Sequence, residues 1–164
     1  MLIIIFICQK FSNFASNFIF SSMSIVKIKD KTFETSITEE QIKQRVKEVA
    51  QQISKDMEGK NPLLIGVLNG SFMFAADLMR EITIPCEISF VKLASYEGIL
   101  STGKVTEVMG LNEDISGRTV IIVEDIVDTG RTMRQMMSSL GVRRPESLHI
   151  CTLFVKPEIG RAHV

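Results

Sequence analysis

The densest run of reactive side chains in the chain is Glu124-Asp125-Ile126-Val127-Asp128-Thr129-Gly130-Arg131-Thr132. Carboxylates this close repel one another, and burying them is costly unless a cation or hydrogen bonds compensate. A divalent metal together with the hydroxyls of a polyol would do so. The second half, Asp128 to Thr132, leads straight into a predicted helix. Free backbone N–H groups, two hydroxyls and a flexible glycine there form a cup for a phosphate dianion. One half suits metal and hydroxyls, the other a phosphate, and a sugar phosphate satisfies both. On spacing alone a plainer reading stays open: a solvated acidic turn in which Asp128 or Thr129 caps the helix. A receiver domain also keeps acidic residues at strand ends, but it has no need of Thr-Gly-Arg-Thr after them. Neither G-x-G-x-x-G nor G-x-x-x-x-G-K-[ST] occurs, which disfavours a dinucleotide site and a P-loop.

The elements needed to position this segment are legible around it. Thr38-Glu39-Glu40-Gln41 reads as a capping box. Ile42, Val46, Val49 and Ile53 follow at helical spacing until Gly59. Pro62 opens the apolar run Leu63 to Leu68, short enough for a buried strand. Asn69-Gly70-Ser71 turns the chain into a second helix bearing Phe74, Ala75, Leu78 and Ile82. Ile88 to Leu93 reads as a strand, Ser95 to Gly103 as a polar loop, and Lys104 to Met109 as a weaker strand. Arg118 to Val123 is almost unbroken in β-branched residues, the mark of a strand covered on both faces. Met133, Met136, Met137 and Leu140 then recur at helical spacing up to Gly141 and are read as core. Leu148 to Val155 forms the last strand, with His149 within it as a structural residue. Strands alternating with helices predict an α/β domain around a mainly parallel sheet. Such sheets bind ligands at the carboxyl ends of their strands.

The chain has 164 residues, enough for one domain, and neither a repeat nor a linker divides its centre. Lys plus Arg balances Asp plus Glu at 19 each, so no basic surplus exists to hold a nucleic-acid backbone. Cys8, Cys86 and Cys151 lie too far apart for a metal cluster or a disulfide framework, and they predict reduced thiols in the cytoplasm. The two ends read differently from the centre. In residues 1–22, the run Leu2 to Cys8 is too short to cross a bilayer, and Lys10 follows it rather than preceding it as in a signal peptide. Met23 is the expected start, with an export or membrane signal as the rival reading of the leading segment. The tail Ile159 to Val164 resembles the translation of a sequencing adapter, which would give His163 no role. The domain is thus expected over 23–158, with residues 159–164 as a foreign tail.

Val120 to Thr132, VIIVEDIVDTGRT, resembles the phosphoribosyl pyrophosphate (PRPP) motif of the type I phosphoribosyltransferases. Three further segments resemble the branch acting on hypoxanthine and guanine: Val67-Leu68-Asn69-Gly70-Ser71, Ser95-Tyr96 with Ser101-Thr102-Gly103, and Leu153-Phe154-Val155-Lys156. The resemblance spans Ile25 to Glu158. It implies the type I fold, with a central sheet flanked by helices and a small hood left incomplete by the end of the chain. It implies that Glu124 and Asp125 lie under the ribose hydroxyls beside Mg2+, and that Thr129, Gly130, Arg131 and Thr132 hold the 5′-phosphate. Asp128 would be the general base toward purine N7. Leu68, Asn69 and Gly70 would form the pyrophosphate loop, with a cis peptide at Leu68–Asn69. Ser95, Tyr96, Ser101, Thr102 and Gly103 would close over the site and exclude water. Lys156, a donor only, would select a 6-oxopurine by its O6 acceptor.

What the resemblance implies overall is purine salvage by a Mg2+-dependent transferase working on PRPP and a 6-oxopurine. It also implies a dimer or tetramer, with neither nucleic acid nor membrane as partner. The family carries a further core strand, an aromatic ring over the purine, an Asp for a second metal and an Arg on the pyrophosphate beyond the position of Lys156. None of these can be assigned here. This chain is therefore expected to bind PRPP weakly and turn over little, and to leave a sheet edge bare. The alternatives are a phosphoribosyltransferase for another base such as xanthine, and a PRPP- or nucleotide-sensing regulator on the same fold.

Overall fold

The computed structural model describes residues 5–7, 25–94 and 107–156. In chain order the elements are β1 (Ile5–Ile7), β2 (Ile25–Ile28), β3 (Lys31–Glu34), α1 (Glu39–Asp56), β4 (Leu63–Leu68), α2 (Phe72–Glu81), β5 (Glu87–Ala94), β6 (Glu107–Met109), β7 (Thr119–Val127), α3 (Arg131–Gly141) and β8 (Ser147–Val155). Six strands form one sheet in the order β1-β8-β7-β4-β5-β6, parallel throughout except for β6, which runs antiparallel to β5 at the edge. Strands β2 and β3 form a separate antiparallel hairpin whose residues are all exposed.

Alternation along the central strands explains why the sheet is covered on both faces. Leu63, Ile65, Val67, Val120, Ile122, Leu148 and Ile150 pack with Met133, Met136 and Leu140 of α3. Leu64, Ile121, Val123 and Cys151 pack instead with Val46, Val49, Ala50 and Ile53 of α1 and with Phe74, Ala75 and Leu78 of α2. The methionines read as core filler are buried at Met133 and Met136. Helix α1 begins as its sequence predicts: the Thr38 hydroxyl accepts from the Gln41 N–H, and the Gln41 side chain accepts from the Thr38 N–H. His149 is buried, its Nε2 lies 2.9 Å from the Ser147 hydroxyl, and burial holds its imidazole below its usual pKa. It belongs to the packing, as expected.

The lower end of the sheet is tied by side chains. Arg118 makes two hydrogen bonds to the Glu87 carboxylate, at 2.7 and 3.2 Å, and the Asn61 amide donates to the same carboxylate at 3.1 Å. Three strand starts, those of β4, β5 and β7, are thereby held together.

Two findings differ from the sequence reading. The strand expected to stop at Val123 continues to Val127, because β8 keeps pairing with it: Glu124 with Thr152, Ile126 with Phe154 and Val127 with Val155. The edge expected to be bare is partly covered. Ile5, Phe6 and Ile7, from the segment that composition sets apart, pair parallel with Ile150, Cys151 and Thr152.

Ile121 lies in the middle of the sheet with no exposed surface. We expect Ile121→Ala to lower unfolding free energy by about 2–5 kcal/mol, read as a lower denaturant midpoint at unchanged m-value.

Candidate active site

The site lies where the sheet parts. Strand β4 pairs with β7 from Leu63–Val120 to Gly66–Val123, and beyond Val123 strand β7 is held by β8 alone. The connection after β4 runs through α2 to β5 on one side, and that after β7 runs through α3 to β8 on the other. The carboxyl ends of β4 and β7 thus flank the topological switch point, where open α/β sheets take their ligands.

Glu124 and Asp125 are successive residues near the end of β7, and both are partly buried. Glu124 is partly buried, and its Oε1 accepts from the Asp125 N–H at 3.2 Å. Burial first, then hydrogen bonding with the Asp125 side chain, raises its carboxyl from the ordinary 4.5 to about 8. The Asp125 Oδ1 accepts from the Ile126 N–H at 2.8 Å, and its backbone carbonyl accepts from the Thr152 hydroxyl at 3.4 Å.

Across the gap stands the turn after β4, with a cis peptide at Leu68–Asn69. The buried Ser71 hydroxyl donates to the Val67 carbonyl at 2.7 Å, and the Phe72 N–H donates to the Asn69 carbonyl at 3.3 Å. These bonds place Gly70 directly against Asp125. A methyl group on Gly70 would stand 2.8 Å from both Cγ and Oδ1 of Asp125, and closer still to Oδ2.

The phosphate-cup segment follows. Gly130, at φ 70°, is the N-cap of α3, and no side chain caps this helix. Its first turn contains no acidic residue. The Thr129 hydroxyl accepts from the Arg131 N–H at 3.4 Å, and the Arg134 guanidinium reaches the Thr129 carbonyl at 3.5 Å. Gly130 and not Asp128 or Thr129 is thus the N-cap, and the Thr129 hydroxyl meets only the first helical N–H, that of Arg131. A glycine with positive φ begins the helix and leaves its first N–H groups without a carboxylate partner, the condition for binding an anion.

Asp128 instead pairs with Lys156, 2.6 Å apart, with about half of each side chain exposed. The Lys156 N–H donates to the Val127 carbonyl at 3.2 Å, which brings the end of β8 beside the end of β7. The structure thus gathers Leu68, Asn69, Gly70, Glu124, Asp125, Asp128, Thr129, Gly130, Arg131, Thr132 and Lys156 at one end of the sheet. Ser95, Tyr96, Ser101, Thr102 and Gly103 lie outside the described residues. Sequence reasoning passed over Thr152, which holds the Asp125 backbone, and Arg134, a cation at a helix N-terminus, where cations are disfavoured. That misplaced charge was the available signal for Arg134; nothing in the sequence singles out Thr152.

Residues 35–163 match the phosphoribosyl transferase domain family. The chain belongs to this family. It is 44% identical over 129 residues to the hypoxanthine phosphoribosyltransferase of Salmonella typhimurium, covering 77% of this chain and 72% of that protein. It is likewise 44% identical over 122 residues to the hypoxanthine-guanine phosphoribosyltransferase of Streptococcus mutans, covering 74% and 68%. The crystal structure of a hypoxanthine phosphoribosyltransferase from Staphylococcus aureus superimposes with a TM-score of 0.70 at 37% identity, over 79% of this chain and 71% of that one. In this phosphoribosyltransferase the central sheet and its flanking helices follow the type I plan.

Glu124 also gives a signature in stability. Its folded-state pKa lies above its unfolded value, so its contribution is complete below about pH 4.5 and is lost as pH rises through about 8. We expect Glu124→Gln to gain in melting temperature over the wild type as metal-free buffer is taken from about pH 5 to above 8. Parallel pH profiles for the two proteins would contradict the assignment.

Proposed function

We propose that this chain transfers the phosphoribosyl group of PRPP to hypoxanthine, and to guanine, giving IMP or GMP and pyrophosphate. The observation that carries this reading is the meeting at one switch point of an acid pair, a helix start without a side-chain cap and a lysine beside an aspartate. The names of the relatives point the same way.

In this reading the N–H groups at the start of α3 and the hydroxyls of Thr129 and Thr132 hold the 5′-phosphate, with Arg131 nearby. Glu124 and Asp125 take the ribose hydroxyls, and a bound cation that displaces the proton from Glu124 would leave the pair the negative charge that favours the positive charge developing on the sugar ring. The pair also suits a hard cation. No third His, Cys, Asp or Glu joins it among the described residues, so Mg2+ would take its other oxygens from the ligand. When bound, Mg2+ supplies charge neutralisation for the departing pyrophosphate. The bond from C1′ to the pyrophosphate oxygen breaks, its electron pair leaving with the pyrophosphate, as the purine nitrogen bonds to C1′. Asp128 accepts the proton from purine N7. Lys156 donates to O6, and its ammonium would meet a donor, not an acceptor, at the amine of adenine. The turn Leu68-Asn69-Gly70 receives the pyrophosphate. The loop containing Ser95, Tyr96, Ser101, Thr102 and Gly103 is assigned to closure over the reacting atoms. The sparse cysteines support the cytoplasm as the compartment.

The test supplies PRPP and Mg2+ with hypoxanthine, guanine, xanthine or adenine to the 164-residue chain. Nucleotide formation is followed by absorbance. We expect slow product formation with hypoxanthine and guanine and none with adenine. Asp128→Ala should lower kcat by about 100-fold, and Lys156→Ala should act mainly on the KM for the base. Tight PRPP binding without product from any base would identify a sensor instead.

A further inference from the structure

We infer that Gly70 is a positioning residue for Asp125: its bare Cα lets the turn after β4 rest on the carboxylate and hold it in place. This rests on the role proposed for Asp125 above. The glycine is not required by its own backbone, since among the described residues the glycines with positive φ are Gly59, Gly110, Gly117 and Gly130. Gly70 is also largely exposed, so the core places no limit on its size. What demands a glycine is the approach. A Cβ at this position would stand 2.8 Å from Cγ and Oδ1 of Asp125, inside any ordinary contact distance.

Asp125 cannot simply give way. Its Oδ1 is held by the Ile126 N–H at 2.8 Å, and its carbonyl by the Thr152 hydroxyl at 3.4 Å. Its own N–H donates to Glu124, which is partly buried. The turn is fixed as well, through the buried Ser71 hydroxyl on the Val67 carbonyl at 2.7 Å. A side chain at position 70 must therefore break the Oδ1 hydrogen bond or move the turn. The contact sets the spacing between the acid that meets the sugar and the turn that meets the leaving group. Those two parts of one substrate cannot then be gripped at independent distances.

The experiment compares the chain with its Gly70→Ala, Asp125→Ala and double variants, by steady-state kinetics in PRPP and by thermal melting. Gly70→Ala is expected to lower kcat/KM for PRPP by about 10- to 100-fold, with the KM for hypoxanthine little changed. Placed on Asp125→Ala, where the carboxylate is gone, the same substitution is expected to change kcat/KM by less than about twofold. Its effect on melting temperature should shrink in the same way. An equal loss in both backgrounds overturns the inference, because the substitution then acts on the turn alone. If Gly70→Ala unfolds the protein, recovery of folding in the double variant supports the contact, and unfolding in both backgrounds overturns it. Unimpaired Asp125→Ala would remove the role proposed for the acid, and the inference with it. An impaired Asp125→Ala beside an active Gly70→Ala leaves that role standing and overturns only the inference.

Discussion

Everything at the ligand end follows from one asymmetry in the pairing of β7. Up to Val123 the strand is hydrogen-bonded to β4 on one side and β8 on the other; past that residue only β8 remains. The loss of one neighbour opens a crevice. The retention of the other keeps Glu124 and Asp125 within the strand. A loop could place carboxylates in the same region, but it would not hold them rigidly. The strand does, at the cost of keeping one carboxyl partly out of water, where it binds its proton up to about pH 8.

The helices supply the complementary charge. Helix α3 starts at a glycine instead of a side-chain cap, which leaves N–H groups for an anion a few residues from the acid pair. The chain therefore changes from an acidic to an electropositive environment within one strand-to-helix connection. A ligand carrying hydroxyls and a phosphate is matched by that change. A simple metal ion or a simple anion would be served by only half of it.

Much of this was legible in the sequence, for reasons that differ from element to element. The capping box at Thr38 and Gln41, the run Leu63 to Leu68 and the helical spacing of Met133, Met136 and Leu140 are local patterns, and local patterns survive reading one residue after another. The motif from Glu124 to Thr132 was legible because so many charges and hydroxyls in a row have few structural uses. The continuation of β7 to Val127 was not, because acidic residues have poor strand propensity and only β8 holds them in register. The Lys156–Asp128 pair and the approach of Gly70 to Asp125 join segments remote in sequence, so no window contains both partners. The strand at Ile5 to Ile7 was missed for another reason: its composition sets it apart, yet a sheet edge accepts any extended segment that offers N–H and C=O groups in step.

The clasp of Arg118, Asn61 and Glu87 has a consequence for how the strands stay in line. It joins three strands at the end of the sheet remote from the ligand, while the opposite end is held chiefly by main-chain ladders that thin out past Val123. The strands thus keep their alignment from the end opposite the crevice, so substitutions around the crevice leave that alignment in place.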